Sequence, residues 1–240
     1  MSRMGNALCL AGIVLSVVLS GCATHGTPPA GGGRYAGPGA FDFRAILKDP
    51  PANDSAATRA DIDRMLALQA ARTPADVKHL NDEGTFSVCL LTAVLGASYK
   101  TNSMPATEAL LKFVGEDAKS IISAAKAQWN RSRPWAVDAR ILPCIEKPKS
   151  SSYPSDRAGQ ARVWAVVLAE MFPASRDALM AKAERIAQDR VLSGVHFPGD
   201  VEAGKILGQK IVERIMQSPV FKADLAAARA EIKQVNRGAQ

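Results

Sequence analysis

From about residue 60 onward, apolar positions recur at three- and four-residue steps, and alternating β-branched runs are missing. That spacing predicts helices rather than strands. The longest stripe is Leu110, Leu111, Val114, Ala118, Ile121, Ile122, Ala125 and Trp129, with Thr107 as its expected cap and Pro134 ending it at Arg133. Asp61 to Arg72 is a shorter amphipathic candidate. Thr73-Pro74-Ala75-Asp76 carries a capping hydroxyl, a first-turn proline and an acid three residues after the threonine, which marks a helix start. Phe86 to Leu95 is almost wholly apolar and predicts a central buried helix ending at Gly96. Further helices are expected over Ala158 to Phe172, from Ser175 with Leu179, Ala183 and Ile186 on one face, from Pro198 to about Gln217, and from Ala223 to Gln234. Neither a repeat nor a second domain boundary is visible. The expected fold class is all-α, a compact helical bundle.

The N-terminus follows a different pattern. Arg3 precedes an apolar to weakly polar run, Ala7 to Ser20, that is short for a membrane span. The run closes with Leu19-Ser20-Gly21-Cys22, similar to the lipobox of bacterial lipoproteins, so residues 1–21 are expected to be a signal peptide and Cys22 a lipidation site. An ordinary cleaved signal is the competing reading. Residues 22–40, rich in Gly, Pro, Ala and Thr, are expected to be a flexible tether, with His25 solvated in it. The folded domain is expected over residues 41–240, long enough for one substantial core. The implied location is the bacterial envelope, periplasmic and lipid-anchored, at the outer membrane rather than the inner.

Export changes the meaning of the cysteines. Cys9 would leave with the signal and Cys22 would carry lipid, leaving Cys89 and Cys144 in an oxidising compartment. A Cys89–Cys144 disulfide and a buried free thiol at Cys89 both stand as readings. No Cys or His pair has metal-ligand spacing, so no metal is expected. The net charge is +7, with basic and acidic residues interspersed and few aromatics among them. This argues against nucleic-acid binding and suits small anions or anionic lipid headgroups. A homo-oligomer is left open.

Three separated clusters carry the candidate chemistry. In the first, Lys126 and Arg133 lie about two helical turns apart and can face one way. In the second, Ser155 of Ser152-Tyr153-Pro154-Ser155-Asp156-Arg157 is placed as an N-cap, beside free amides that form an anion site. In the third, Arg190 precedes Gly194, a helix breaker, then His196 in a turn and Asp200 in the first turn of the next helix. A carboxylate there can accept from one imidazole nitrogen and leave the other as nucleophile. Each cluster alone reads as a basic face, a plain cap or a structural histidine. Together they form a phosphate-handling set.

The three clusters resemble the signature of the PAP2 superfamily, which includes bacterial class A non-specific acid phosphatases, membrane lipid phosphatases and vanadium haloperoxidases. The family pattern is Lys, six residues, Arg-Pro; then Pro-Ser-Gly-His; then Ser-Arg, five residues, His, three residues, Asp. Lys126, Arg133, Pro134, Pro154, Ser155, Arg190, His196 and Asp200 match it, and the likeness runs from roughly Leu66 to the C-terminus. It implies the helical bundle of the acid phosphatase and vanadium chloroperoxidase type, and a phosphomonoesterase of the soluble acid phosphatase kind. His196 would become a phosphohistidine and Asp200 would orient it. Lys126, Arg133, Ser155 and Arg190 would hold the phosphate oxygens, with no cofactor.

Asp156-Arg157 stands where the family has Gly-His. The family histidine protonates the leaving oxygen, whereas a guanidinium stays charged and cannot. Losing a general acid costs about 10²–10⁴ in rate. Asp156 substitutes only if its pKa is raised. The expected activity is therefore a weakened phosphatase, with a non-catalytic phosphate- or phospholipid-binding lipoprotein as the alternative and vanadate-dependent halide oxidation as a remote third. Asp189, in place of the usual serine before Arg190, is expected to matter little.

Overall fold

The computed structural model describes residues 32–83 and 86–237. The expected signal segment, Cys22 and His25 lie outside them. The described residues form helices joined by short loops and turns. In order these are α1 (Phe43–Ile46), α2 (Ala56–Ala71), α3 (Pro74–Asp82), α4 (Cys89–Thr92), α5 (Pro105–Trp129), α6 (Pro134–Val137), α7 (Asp156–Met171), α8 (Arg176–Leu192), α9 (Pro198–Ile215) and α10 (Pro219–Arg237).

The buried hub is α7, not the Phe86–Leu95 run. Ala158, Ala161, Val163, Ala165, Val167, Leu168 and Ala169 point in all directions from its axis and are all buried. A helix apolar on every side belongs inside the core. It packs against α8, α9 and α5, and α10 lies on the outer side of α5. The apolar stretch before Gly96 forms only α4 and a following 3-10 turn, Ala93–Ser98, because Gly96 takes a positive φ of 52°. Leu91 and Leu95 still reach the core.

The α5 stripe is buried as its spacing requires, with Leu110, Leu111, Val114, Ala118, Ile121, Ile122 and Ala125 all at most 1% exposed. Its ends differ from expectation. Thr107 does not cap it: the Thr107 hydroxyl and backbone N–H both donate to Glu231 on α10. At the other end α5 stops at Trp129, before Arg133, because Asn130 adopts the left-handed conformation (φ 45°). Pro134 instead opens α6. At α3 the expected capping box is complete, Thr73 and Asp76 bonding reciprocally.

The tether reading over 22–40 fails at its C-terminal end. Tyr35 and Ala36 are buried, and the backbone N–H groups of Arg34, Tyr35 and Ala36 all donate to the carboxylate of Asp117 on α5. Burying those amides is tolerable because Asp117 satisfies all three. Cys89 and Cys144 are free thiols; Cys89 is exposed and Cys144 half-buried. Neither the disulfide nor the buried thiol at Cys89 describes them.

Candidate active site

Two helix starts and one helix end converge to make the site. The α8 helix closes at Gly194, whose φ of 79° lets the backbone N–H groups of Val195 and His196 turn back onto the Arg190 carbonyl. A side chain at this left-handed position would be strained. The reversal delivers His196 just ahead of α9, where Asp200 sits in the first turn and accepts from the Phe197 N–H at 2.9 Å. The start of α7 is tied to the start of α9 by Ser155 N–H donating to the Asp200 carbonyl at 2.8 Å.

Close contact between α7 and α9 holds this alignment. A Cβ added at Gly204 would collide with the Ser155 carbonyl, and one at Gly208 would stand 2.5 Å from the Gly159 carbonyl. Glycine is what permits the backbones to approach so closely.

His196 is fully buried. Its Nε2 lies 2.9 Å from an Arg133 guanidinium nitrogen. A guanidinium only donates, so Nε2 presents its lone pair and Nδ1 carries the ring proton. Nδ1 and Asp200 Oδ2 are 3.4 Å apart, close enough for an electrostatic contact, while Nδ1 makes no hydrogen bond in this arrangement. Burial, partly offset by Asp156 and Asp200, holds the His196 pKa below the ordinary imidazole value. The ring is therefore neutral near pH 7, as a nucleophile must be.

Asp200 is also fully buried and is held from behind. Arg131 donates to Oδ1 at 2.7 Å, and the Ser152 hydroxyl donates to Oδ2 at 2.5 Å. Burial would raise its carboxyl pKa, but His196, Arg131 and Ser152 outweigh that and hold it below the usual range. Arg131 and Ser152 both touch this carboxylate, and motif spacing singles out neither. Arg131 lies two residues from Arg133, outside the family spacing. No local signal singles it out, because the predicted helix runs on to Arg133 and the break at Asn130 appears only in the fold.

The expected phosphate ligands come together. Arg133 also donates to the carbonyls of Ser150 and Val195, at 2.9 and 2.8 Å. Lys126 donates to the Ser151 carbonyl at 2.6 Å. Burial, together with the neighbouring Arg133 and Arg190, pulls the Lys126 pKa down to about 8. Burial and repulsion from Arg157 lower Arg190. Ser155 occupies the N-cap position of α7, yet its hydroxyl makes no capping bond. The Ser155 hydroxyl and the Arg190 Nε are both buried without a hydrogen-bond partner. Buried polar atoms left open at a helix N-terminus beside buried cations are what an anion would satisfy.

Asp156 and Arg157, the first residues of α7, form the partly exposed edge. Asp156 Oδ1 lies 3.6 Å from His196 Nε2, and its side chain is 40% exposed. Burial of the carboxyl acts against ionisation, but His196, Lys126 and Arg133 hold its pKa far below the usual carboxylate range. The condition on which Asp156 could supply the missing proton, a raised pKa, is not met: the shift runs the other way and favours the anion at neutral pH. Arg157 lies over the Phe86 ring, 5.4 Å from its centroid.

Asp189 has a larger structural part than expected. It accepts from Arg185 at 2.9 Å and lies 3.1 Å from His79. His79, Glu83 and Asp189 are close enough to hold a metal ion. Lys182 on Glu83, at 2.7 Å, and Arg185 on Asp189 already supply the positive charge, which makes the group an ion-pair network. A groove of about 530 Å³ between α2, α8 and α9 contains none of the phosphate ligands.

The fold and site define a family. The PAP2 superfamily model matches residues 86–221, more than half the chain, and the chain belongs to that superfamily. Among characterised relatives, it is similar to the non-specific acid phosphatase of Salmonella typhimurium, 28% identical over 199 residues, covering 79% of this chain and 80% of that one. It is similar also to the non-specific acid phosphatase of Providencia stuartii, 29% identical over 139 residues, covering 55% and 56%. A solved transmembrane PAP2 type phosphatidylglycerolphosphate phosphatase from Bacillus subtilis is similar with a TM-score of 0.47 and 19% identity, over 68% of this chain and 87% of that one.

Proposed function

We propose that this chain is an acid phosphatase-like phosphomonoesterase working through a phosphohistidine at His196. The observation that supports it most is the His196 ring itself: neutral, with its Nε2 lone pair turned toward Arg133 and Nδ1 3.4 Å from Asp200, in a site that also holds the unpartnered Ser155 hydroxyl and Arg190 Nε. In the first step Nε2 attacks phosphorus and the ester P–O bond breaks. The cations and the Ser155 hydroxyl neutralise the equatorial oxygens. Water then cleaves the P–N bond, releases phosphate and restores the imidazole.

Arg157 offers no proton to the departing oxygen, so leaving groups that depart readily as anions are the favoured substrates. Aryl phosphates should be cleaved faster than alkyl phosphates by more than in a phosphatase with an intact acid. The test is steady-state hydrolysis of an aryl and an alkyl monoester, with capture of radiolabelled phosphoenzyme. Labelling lost in His196→Ala supports the mechanism. Equal aryl and alkyl rates would show that a donor is present.

The Asp156-Arg157 pair also favours a second reading, a phosphate- or phospholipid-binding protein without turnover. Phosphate binding unchanged in His196→Ala, with no labelled intermediate, would establish it.

We place the protein in the cell envelope, exported and anchored through lipid on Cys22. Among the described residues no helix is long and apolar enough to cross a membrane. Incorporation of labelled palmitate, lost in Cys22→Ser, is the test.

A further inference from the structure

Asp156 supplies a charge that this site's chemistry does not call for. In-line attack needs phosphorus about 3–3.5 Å from the nucleophilic nitrogen. Asp156 Oδ1 already stands 3.6 Å from that nitrogen, His196 Nε2. Among the described residues, none of Lys126, Arg133, Arg157 and Arg190 makes an ion pair within 4.0 Å with any carboxylate. All four are nevertheless stabilised in their charged forms by Asp156. Lys126, Arg133 and Arg190 are buried, while the Asp156 side chain is 40% exposed and stands in the first turn of α7, beside the half-buried Arg157. Its carboxylate is the site's partly exposed anion, with room to swing outward.

We propose that Asp156 is the resident anion of the phosphate cradle, exchanged for phosphate when substrate enters and returning as product leaves. This rests on the phosphatase reading above and deepens it: Asp156 sets how tightly the site retains inorganic phosphate. Resident negative charge weakens the hold on any dianion. The family glycine at this position lacks a side chain to do so. The result is a site that trades phosphate affinity for quick release of product.

The experiment is calorimetric titration of inorganic phosphate into the full chain, as wild type and as Asp156→Asn. The amide keeps the side chain's size and removes its charge. A unit charge about 5 Å from even a singly charged phosphate, at an effective dielectric of about 20, predicts binding tightened by roughly 10²-fold or more. The same factor should appear in the product-inhibition constant for an aryl phosphate. Glu213→Gln, which removes an exposed α9 carboxylate paired with Lys210, controls for overall charge and should leave the affinity unchanged. If the Asn variant misfolds, Asp156→Ser repeats the test. Phosphate bound equally or more weakly by the uncharged variant overturns the inference and leaves the cradle standing. Equal tightening by Glu213→Gln also overturns it. Absence of phosphate binding by every chain refutes the cradle, and the inference with it.

Discussion

Replacing Arg131 with methionine should damage stability and catalysis together, in a pH-dependent way. The Arg131–Asp200 pair is 2.7 Å long, with side chains 2% and 0% exposed. Removing one partner of a buried pair costs about 3–5 kcal/mol. The lower figure applies here, because Arg131 already leaves Nε and one terminal nitrogen unpaired, and Asp200 keeps Ser152 and the Phe197 N–H. A loss of about 3 kcal/mol in a chain of this size lowers the melting temperature by about 6–12 °C. Asp200's depressed pKa means its ionised form stabilises the fold above the ordinary carboxylate range, and that contribution is lost as pH falls through the folded value. Without Arg131 the folded value rises, so the contribution is smaller and is gone at a higher pH. The gap between wild type and variant should be widest near neutrality and narrow in acid. Misorientation of His196 should lower kcat on an aryl phosphate by about 10²-fold. Calorimetric melts at neutral and acidic pH, paired with kinetics, measure both effects. A melting temperature within about 2 °C of wild type at both pH values, with full activity, would refute the idea that Arg131 braces the nucleophile.

Ser152→Ala removes a charge-assisted hydrogen bond to Asp200 and should cost about 1.5–3 kcal/mol, read by denaturant unfolding, with a fall in kcat. Because Lys126 titrates at about 8, it is charged below that pH and neutral above it. KM for a phosphomonoester should therefore climb as pH rises through 8, and Lys126→Arg should flatten the climb. Gly204→Ala drives a methyl into the Ser155 carbonyl; a destabilisation of about 1–3 kcal/mol is expected, with a drop in kcat that distant surface substitutions do not cause. Asp156→Gly combined with Arg157→His rebuilds the family motif and should raise alkyl phosphate turnover by about 10²–10⁴-fold. An unchanged rate would mean the defect lies elsewhere in the site.

Much of this was readable before any coordinates, and the exceptions share a cause. The α5 stripe and the three motif clusters declare themselves because periodicity and spacing are local properties of the chain. Thr107 reads as a cap from sequence because its partner, Glu231, is more than a hundred residues away. The Phe86–Leu95 run looked like a core helix because composition reports burial, not backbone conformation, and the turn at Gly96 decides otherwise. Residues 34–36 looked unstructured because three backbone amides find Asp117, which no composition rule anticipates. Arg131 and Ser152 were passed over for the same reason: their importance lies in touching Asp200, and only folding brings them there.

The glycines between α7 and α9 have an outcome beyond close fit. With two backbones in direct contact, the relative position of the seryl hydroxyl and the imidazole is set by main chain rather than by side-chain shape. Drift in the outer layers, including α10 and the connections around α4, can then accumulate over evolutionary time without loosening the reaction centre. The motif can persist on such a frame while the surrounding residues diverge widely.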